Sequence, residues 1–306
     1  NPKHFYSEDR KIIHIDIDPS SISKRVKVDI PIVGSVSQVL KELIKLIKAS
    51  KQKTDTIAMK EWWKQINLWR ERDCLKYDRS SRVIKPQMVI EKLYAITKGD
   101  AFITSDVGQH QMWAAQYCEF REPRQWLTSG SMGTMGFGLP AAIGAQVANP
   151  GRLVIDIDGD GSMRMNVGEL ETATTYDLPI KVVVLNNFGD GMVKQWQKLF
   201  FKGRLSASDK SLHKKDFVRA AQADGFGYAV RLERKADVQR VVGEFLEYPG
   251  PAFLEVVIDP DAGVYPMVGP GQSYDKMITG DYIVARKVAP VATAPVAVAQ
   301  DPPQLF

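Results

Sequence analysis

Cysteine is scarce in this sequence: 306 residues carry two, Cys74 and Cys118. Two cysteines cannot build a disulfide framework, and such low usage fits a reducing compartment. Cys118 reads as a small buried hydrophobe. Apolar runs long enough to cross a bilayer, about 20 residues, are lacking, and a signal-peptide pattern is lacking at the start; no membrane partner is expected. Clustered positive charge is lacking too. The 41 Lys and Arg residues give a net charge of +5 but are spread mainly over 41–82 and 194–215, with no reading motif beside them, so no nucleic-acid partner is expected. An initiator Met is also missing: NPKHFYSEDR leads straight into a buried-type strand expected over 11–17. That is the pattern of a chain that begins inside a domain, a fragment or a split subunit.

What is present is an ordinary globular composition, 44% hydrophobic and 25% charged, with length for about two domains. Residues 154–187 organise the rest. Apolar runs at 153–157 and 180–185 flank a helical segment that puts Met165, Leu170, Ala173 and Thr174 on one face. Strand, crossover helix and strand predict a βαβ unit with parallel strands. The first strand ends in Asp158 and Asp160, the second in Asn186 and Asn187. Ligands of open parallel sheets sit outside the carboxyl ends of the strands, so Asp160 and Asn187, 27 residues apart, share one edge. An acid and an amide there suit Mg²⁺, which takes oxygen ligands and phosphate oxygens. Gly159 and Gly161 let backbone approach a diphosphate, and Ser162 and Met163 open a helix whose free N–H groups favour an anion. A GDG tripeptide alone is as well read as a tight turn; the Asn-Asn pair at the next strand's end favours the diphosphate–metal reading.

Elsewhere a second short strand at 30–33 and a helix from Val36, capped by Ser35, carry Val36, Val39, Leu40, Leu43, Ile44 and Ile47 on one face. Residues 51–57 and 79–85 read as linkers, and 59–74 as a helix whose Trp62, Trp63 and Trp69 are packing anchors at a seam. Pro86 suits a first helical turn. A strand over 101–105 runs into Asp106-Val107-Gly108-Gln109-His110, then a helix over 111–117. Gln109 and His110 can donate to phosphate oxygens, although a histidine beside a helix start is more often a capping or surface group. The glycines of 126–148 lack the order of a dinucleotide fingerprint. Taken alone, Met192, Val193 and Trp196 form an apolar helix stripe and Met135 a core filler. Residues 265–275 suit a mobile loop, and 288–306, rich in Ala, Pro and Val, read as disordered.

GDGS followed by Asn-Asn, together with DVGQHQMWAAQY at 106–117, TSGSMGTMGFGLPAAIGAQVA at 128–148 and GMVKQWQKLFF at 191–201, resembles the catalytic large subunit of acetolactate synthases. The likeness runs from about residue 11 to about 278. It implies an α/β fold: a doubly wound, mainly parallel sheet of the thiamine diphosphate-binding type, preceded by the end of a central Rossmann-like domain. The division expected is 1–50 as the remnant of a central FAD-associated domain, 51–84 as a linker with the Trp-rich helix, 85–280 as the thiamine diphosphate and Mg²⁺ domain, and 281–306 as a disordered tail.

The resemblance further implies site residues. Asp160, Asn187 and the Gly189 carbonyl would hold Mg²⁺. Gln109, His110, Gly133, Met135, Gly161, Ser162, Met192 and Val193 would touch thiamine diphosphate, with Met135 as the apolar wedge beneath it. Trp196 would line the substrate channel, and Asp16 and Ile17 would line FAD. Phe188-Gly189-Asp190 departs from the polar residues common there, and Ser35 stands where an acid is frequent. The activity implied is decarboxylation of pyruvate and carboligation to a second 2-oxoacid, pyruvate or 2-oxobutyrate, in branched-chain amino acid biosynthesis. The location implied is the bacterial cytoplasm, an organelle staying open. Partners implied are a homodimer mate or a separate N-terminal half, and a small regulatory subunit. The glutamate that activates the cofactor in such enzymes lies in an N-terminal domain that the sequence does not supply, so the chain alone is expected to be inactive. The alternatives are another thiamine diphosphate carboligase or decarboxylase, and a non-catalytic binding module.

Overall fold

The computed structural model describes residues 10–50 and 54–280; the tail expected at 281–306 lies outside them. In the first segment β1 (Ile13–Asp16) pairs in parallel with β2 (Ile30–Val33), and α1 (Val36–Ala49) follows. Asp18 Oδ1 accepts the Ser20 N–H at 2.8 Å and starts a single 3-10 turn that ends the strand. The stripe expected on α1 is there, but Val36, Leu40, Ile44 and Ile47 are exposed, as are Ile13 and Ile17. The strand over 11–17 is therefore shorter and less buried than its composition implied, because one helix against two strands covers one face only. The Trp-rich helix α2 (Thr56–Arg70) starts three residues earlier than expected. Asp55 caps it, accepting the Ile57 and Ala58 N–H groups at 3.1 and 2.9 Å. Trp62 and Trp69 meet edge to face at 5.4 Å, and both are exposed.

The larger unit alternates helices and strands. After α3 (Pro86–Thr97) come β3 (Phe102–Ser105), α4 (Gln109–Tyr117), β4 (Trp126–Thr128), α5 (Gly138–Ala148) and β5 (Val154–Gly159). Then follow α6 (Asp160–Asn166), α7 (Glu169–Thr175), β6 (Lys181–Asn186), α8 (Gly191–Phe200), α9 (Phe217–Ala223), β7 (Tyr228–Leu232), α10 (Val238–Glu247) and β8 (Ala252–Val257). The six strands form one wholly parallel sheet in the order β4-β3-β5-β6-β8-β7. Side chains alternate across it. Ile155, Ile157, Val183, Leu185, Leu254 and Val256 pack under α3, α4 and α10, against Ile90, Leu93, Trp113, Val242 and Phe245. Val154, Val182, Val184 and Phe253 pack under α5, α6, α7 and α9, against Leu139, Ala142, Met163, Leu170 and Phe217. Burial on both faces is why these strands read as continuous apolar runs, and each such side chain is worth roughly 1.5–3 kcal/mol on burial.

The crossover differs from the expected single helix. It is two short helices, α6 and α7, separated at Val167 and Gly168. Because α6 begins at Asp160, its buried face carries Met163, in line with Leu170 and Ala173; Met165 is 56% exposed. The strands also run further than their apolar cores, so Asp158 lies within β5 and Asn186 within β6. The chain leaves β3 for the β4 edge and returns to β5 on the other side of β3. The crevice at this reversal, at the carboxyl ends of β3, β5 and β6, is where an open α/β sheet binds its ligand.

Candidate active site

A cavity of about 260 Å³ opens at that edge, lined from the four turns that follow β3, β4, β5 and β6. The first turn supplies Gln109 and His110, the second Gly133 and Met135, the third Asp160, Gly161 and Ser162, and the fourth Asn187, Gly189, Met192 and Val193. Trp196 stands one turn further along α8, 37% exposed and 5.0 Å from Phe200 between ring centroids; the cavity wall on α8 reaches only to Val193. Asp16 and Ile17 lie at the end of β1. Asp16 Oδ1 accepts the Asp18 N–H at 2.9 Å, and Ile17 is exposed.

Asp160 and Asn187 meet. The Asn187 N–H donates to Asp160 Oδ1 at 3.3 Å. The side-chain oxygen of Asn187 lies 3.2 Å from Asp160 Oδ1 and 2.9 Å from the Gly189 carbonyl oxygen, while Asn187 Nδ2 donates to Gln109 Oε1 at 2.9 Å. Three acceptor oxygens thus converge with no side-chain donor between them; the Asn187 backbone N–H reaches Asp160 Oδ1 alone. Turning the Asn187 amide over satisfies Asp160 and Gly189 but sets its oxygen against Gln109 Oε1. A cation satisfies all of them at once, and a carboxylate, an amide oxygen and a carbonyl are the donor set of a hard divalent ion. The local backbone builds this arrangement. Phe188 takes a left-handed φ of 55°, which turns the chain between Asn187 and Gly189. Any side chain on Gly189 would meet the Ser208 carbonyl and Lys194, so only glycine fits. Asp190 accepts from Lys210 Nζ at 2.7 Å through Oδ2, while its buried Oδ1 has no hydrogen-bond partner and lies over Gly161. Burial pushes the Asp160 carboxyl up to about 7, the Asp190 charge adding to it and the Asn187 N–H and Arg164 opposing it.

Behind the cavity floor is a second acidic cluster, Asp106, His110 and Asp158, with ligating atoms within 4.8 Å of one another. Its donors are already engaged. Asp106 accepts the N–H groups of Val107, Gly136 and Gly138 at 2.6–2.9 Å. Asp158 Oδ1 accepts the Ser162 hydroxyl and the Gly159 N–H. Burial, with the Asp156 and Asp106 charges adding, holds the Asp158 carboxyl well above the carboxylate range. Burial drives the His110 imidazole down to about 3. His110 Nε2 approaches Asp158 Oδ1 at 3.8 Å, and the cluster ties the Gly-rich loop and α4 to β5. His110 packs on Gly159, where a Cβ would fall 2.6 Å from Nδ1; it is a buried wall rather than the surface group its position suggested. The sequence sets Asp106 and Asp158 at strand ends without a role for either, and Gln195 goes unmarked. The first two stand at carboxyl ends of strands, which was the available signal, whereas nothing local marks Gln195.

Comparison with known proteins adds the lineage. Residues 106–256 match the family described as thiamine pyrophosphate enzyme, C-terminal TPP binding domain, and residues 1–43 match thiamine pyrophosphate enzyme, central domain. The chain is 48% identical over 276 residues to the acetolactate synthase isozyme 3 large subunit of Escherichia coli K12, covering 89% of this chain and 48% of that protein. It is 43% identical over 274 residues to the acetolactate synthase large subunit of Haemophilus influenzae, covering 89% and 47%. To that of Pyropia yezoensis it is 40% identical over 268 residues, covering 88% and 45%. The chain spans about half the length of the curated relatives it matches. Every cavity residue from Gln109 to Val193 lies inside the C-terminal match, and the chain therefore belongs to the thiamine pyrophosphate enzyme family, among relatives that are acetolactate synthase large subunits.

Proposed function

We propose that the chain holds Mg²⁺ and the diphosphate of thiamine diphosphate at this cavity, as the cofactor-binding part of an acetolactate synthase. One observation carries it: the oxygens of Asp160, Asn187 and Gly189 converge without a side-chain donor among them. Those three would hold the cation, and Gly161 and Ser162 in the first turn of α6 would face the phosphate oxygens, with Gln109 and His110 also lining the cavity. Met135, Met192 and Val193 supply apolar walls that keep water from the reacting centre. His110, neutral in its buried site, orients without adding charge. Thiamine diphosphate, when bound, supplies the electron sink that lets a 2-oxoacid lose carbon dioxide.

The substrates proposed are pyruvate and a second 2-oxoacid, with products on the route to branched-chain amino acids. Trp196, one turn beyond the cavity wall on α8, is proposed to border the second substrate. Among the described residues the cavity lining contains no glutamate; the partners proposed are a second copy or an N-terminal half that brings an activating carboxylate, and a small regulatory subunit. FAD is proposed at the carboxyl end of β1, beside Asp16 and Ile17, and the cytoplasm as location.

The test is calorimetry of the purified chain with thiamine diphosphate and Mg²⁺, before and after chelation by EDTA, with an acetolactate assay run with and without the N-terminal half of a relative. Mg²⁺-dependent binding, and turnover only with the added half, is expected. Binding that ignores EDTA removes the metal seat, and full turnover by the chain alone removes the claim that a carboxylate is supplied from outside.

A further inference from the structure

The Asn187 amide has one useful polarity, oxygen toward Asp160 and Gly189, and its immediate neighbour cannot enforce it. Gln109 Oε1 accepts from Asn187 Nδ2 at 2.9 Å, but Gln109 is itself an amide that could turn over. Its orientation is set by the next link. Gln109 Nε2 donates to Gln195 Oε1 at 2.8 Å and to the Ala262 carbonyl at 3.0 Å. Gln195 in turn is paired with backbone, which has no freedom to exchange donor and acceptor. The Val264 N–H donates to Gln195 Oε1 at 2.9 Å, and Gln195 Nε2 donates to the Val264 carbonyl at 3.0 Å. All three side chains are buried, 4–5% exposed. Gly191 keeps the space open, since a Cβ there would collide with Gln109 Oε1 and Asn187 Nδ2. The segment carrying Val264 is pinned to α4: Gln116 Nε2 donates to the Tyr265 carbonyl at 3.1 Å and Trp113 Nε1 to that of Gly263 at 3.4 Å.

We infer that Gln195 is a positioning residue for the cation: with Val264 as its fixed end, the relay Val264–Gln195–Gln109–Asn187 holds the Asn187 oxygen toward the metal seat. This rests on the metal reading of the cavity and extends it to a residue that touches neither metal nor cofactor. Groups that orient a metal ligand typically carry 10–100-fold in affinity. It also ties the segment after β8 to the metal seat through hydrogen bonds alone.

The test titrates the full chain with Mn²⁺ alone, following free Mn²⁺ by electron paramagnetic resonance and counting only binding lost in Asp160→Ala. Four proteins form a cycle: the parent, Gln195→Met, Asn187→Asp and the double variant. Gln195→Met is expected to weaken Mn²⁺ about ten-fold in the parent. It should change nothing, or tighten binding, in the Asn187→Asp background, because a carboxylate presents oxygen whichever way it turns. An equal loss in both backgrounds means Gln195 serves packing only and overturns the relay; no loss in the parent overturns it as well and leaves the metal seat standing. Absence of Asp160-dependent binding in the parent overturns the metal reading and the relay together. Should Gln195→Met fail to fold, Gln195→Glu keeps the accepting oxygen and is expected to bind Mn²⁺ at least as tightly as the parent; a ten-fold loss there overturns the relay.

Discussion

Asp106 Oδ2 accepts the backbone N–H of Gly138 at 2.9 Å, and the same carboxylate accepts that of Gly136 at 2.8 Å. One side chain at the end of β3 thereby fixes the loop that delivers Met135 to the cavity. Asp106→Asn keeps one acceptor and turns a donor toward N–H groups. It is expected to cost about 1–3 kcal/mol, read by urea unfolding, and to weaken thiamine diphosphate binding. A variant as stable as the parent would mean the loop is held otherwise.

Two glycines of α5 should respond oppositely to alanine. A Cβ on Gly138 would fall 2.5 Å from Asp156 Oδ1 and 2.7 Å from the Asp106 nitrogen, whereas Gly144 has nothing within 4 Å. Gly138→Ala is expected to destabilise by about 1–3 kcal/mol, and Gly144→Ala, in an exposed helix interior, to stabilise by about 1 kcal/mol. Thermal melts of the two variants check the pair.

Lys181 lies buried at the start of β6, donating to the Tyr248 and Gly250 carbonyls at 2.6 Å each. Burial lowers its ammonium to about 8 from 10.5. Between those values the unfolded chain binds more protons than the folded one, so this residue makes stability rise with pH across that window. Subtracting the pH–stability curve of Lys181→Met from that of the parent should leave a rise from pH 8 to 10.5. A flat difference would show that the two carbonyls offset the burial.

Removing one oxygen of the metal seat should uncouple ligand from fold. The parent, at Mg²⁺ and thiamine diphosphate a hundred-fold above their dissociation constant, gains about 2.7 kcal/mol. Asp160→Ala is expected to lose that gain while unfolding normally without ligand. Retention of the gain would place the ligand elsewhere.

The parallel sheet and its binding edge were legible in the sequence because buried parallel strands leave uninterrupted apolar runs, and because Asp160 and Asn187 stand just past two of them. The bounds of α6 were not, since apolar spacing marked Met165 while the helix start at Asp160 turned Met163 inward. The strand β4 is three residues long and carries too little pattern to stand out from the glycines around it. Gln195 was illegible for a different reason. Its role depends on a backbone N–H 69 residues away, a relation that no local periodicity encodes.

The central claim is that Asp160, Asn187 and Gly189 form a cation seat, and Mn²⁺ soaked into crystals of the chain tests it through anomalous scattering. The account predicts a peak about 2 Å from the three oxygens; a peak between Asp106, His110 and Asp158 instead, or none at either place, would contradict it.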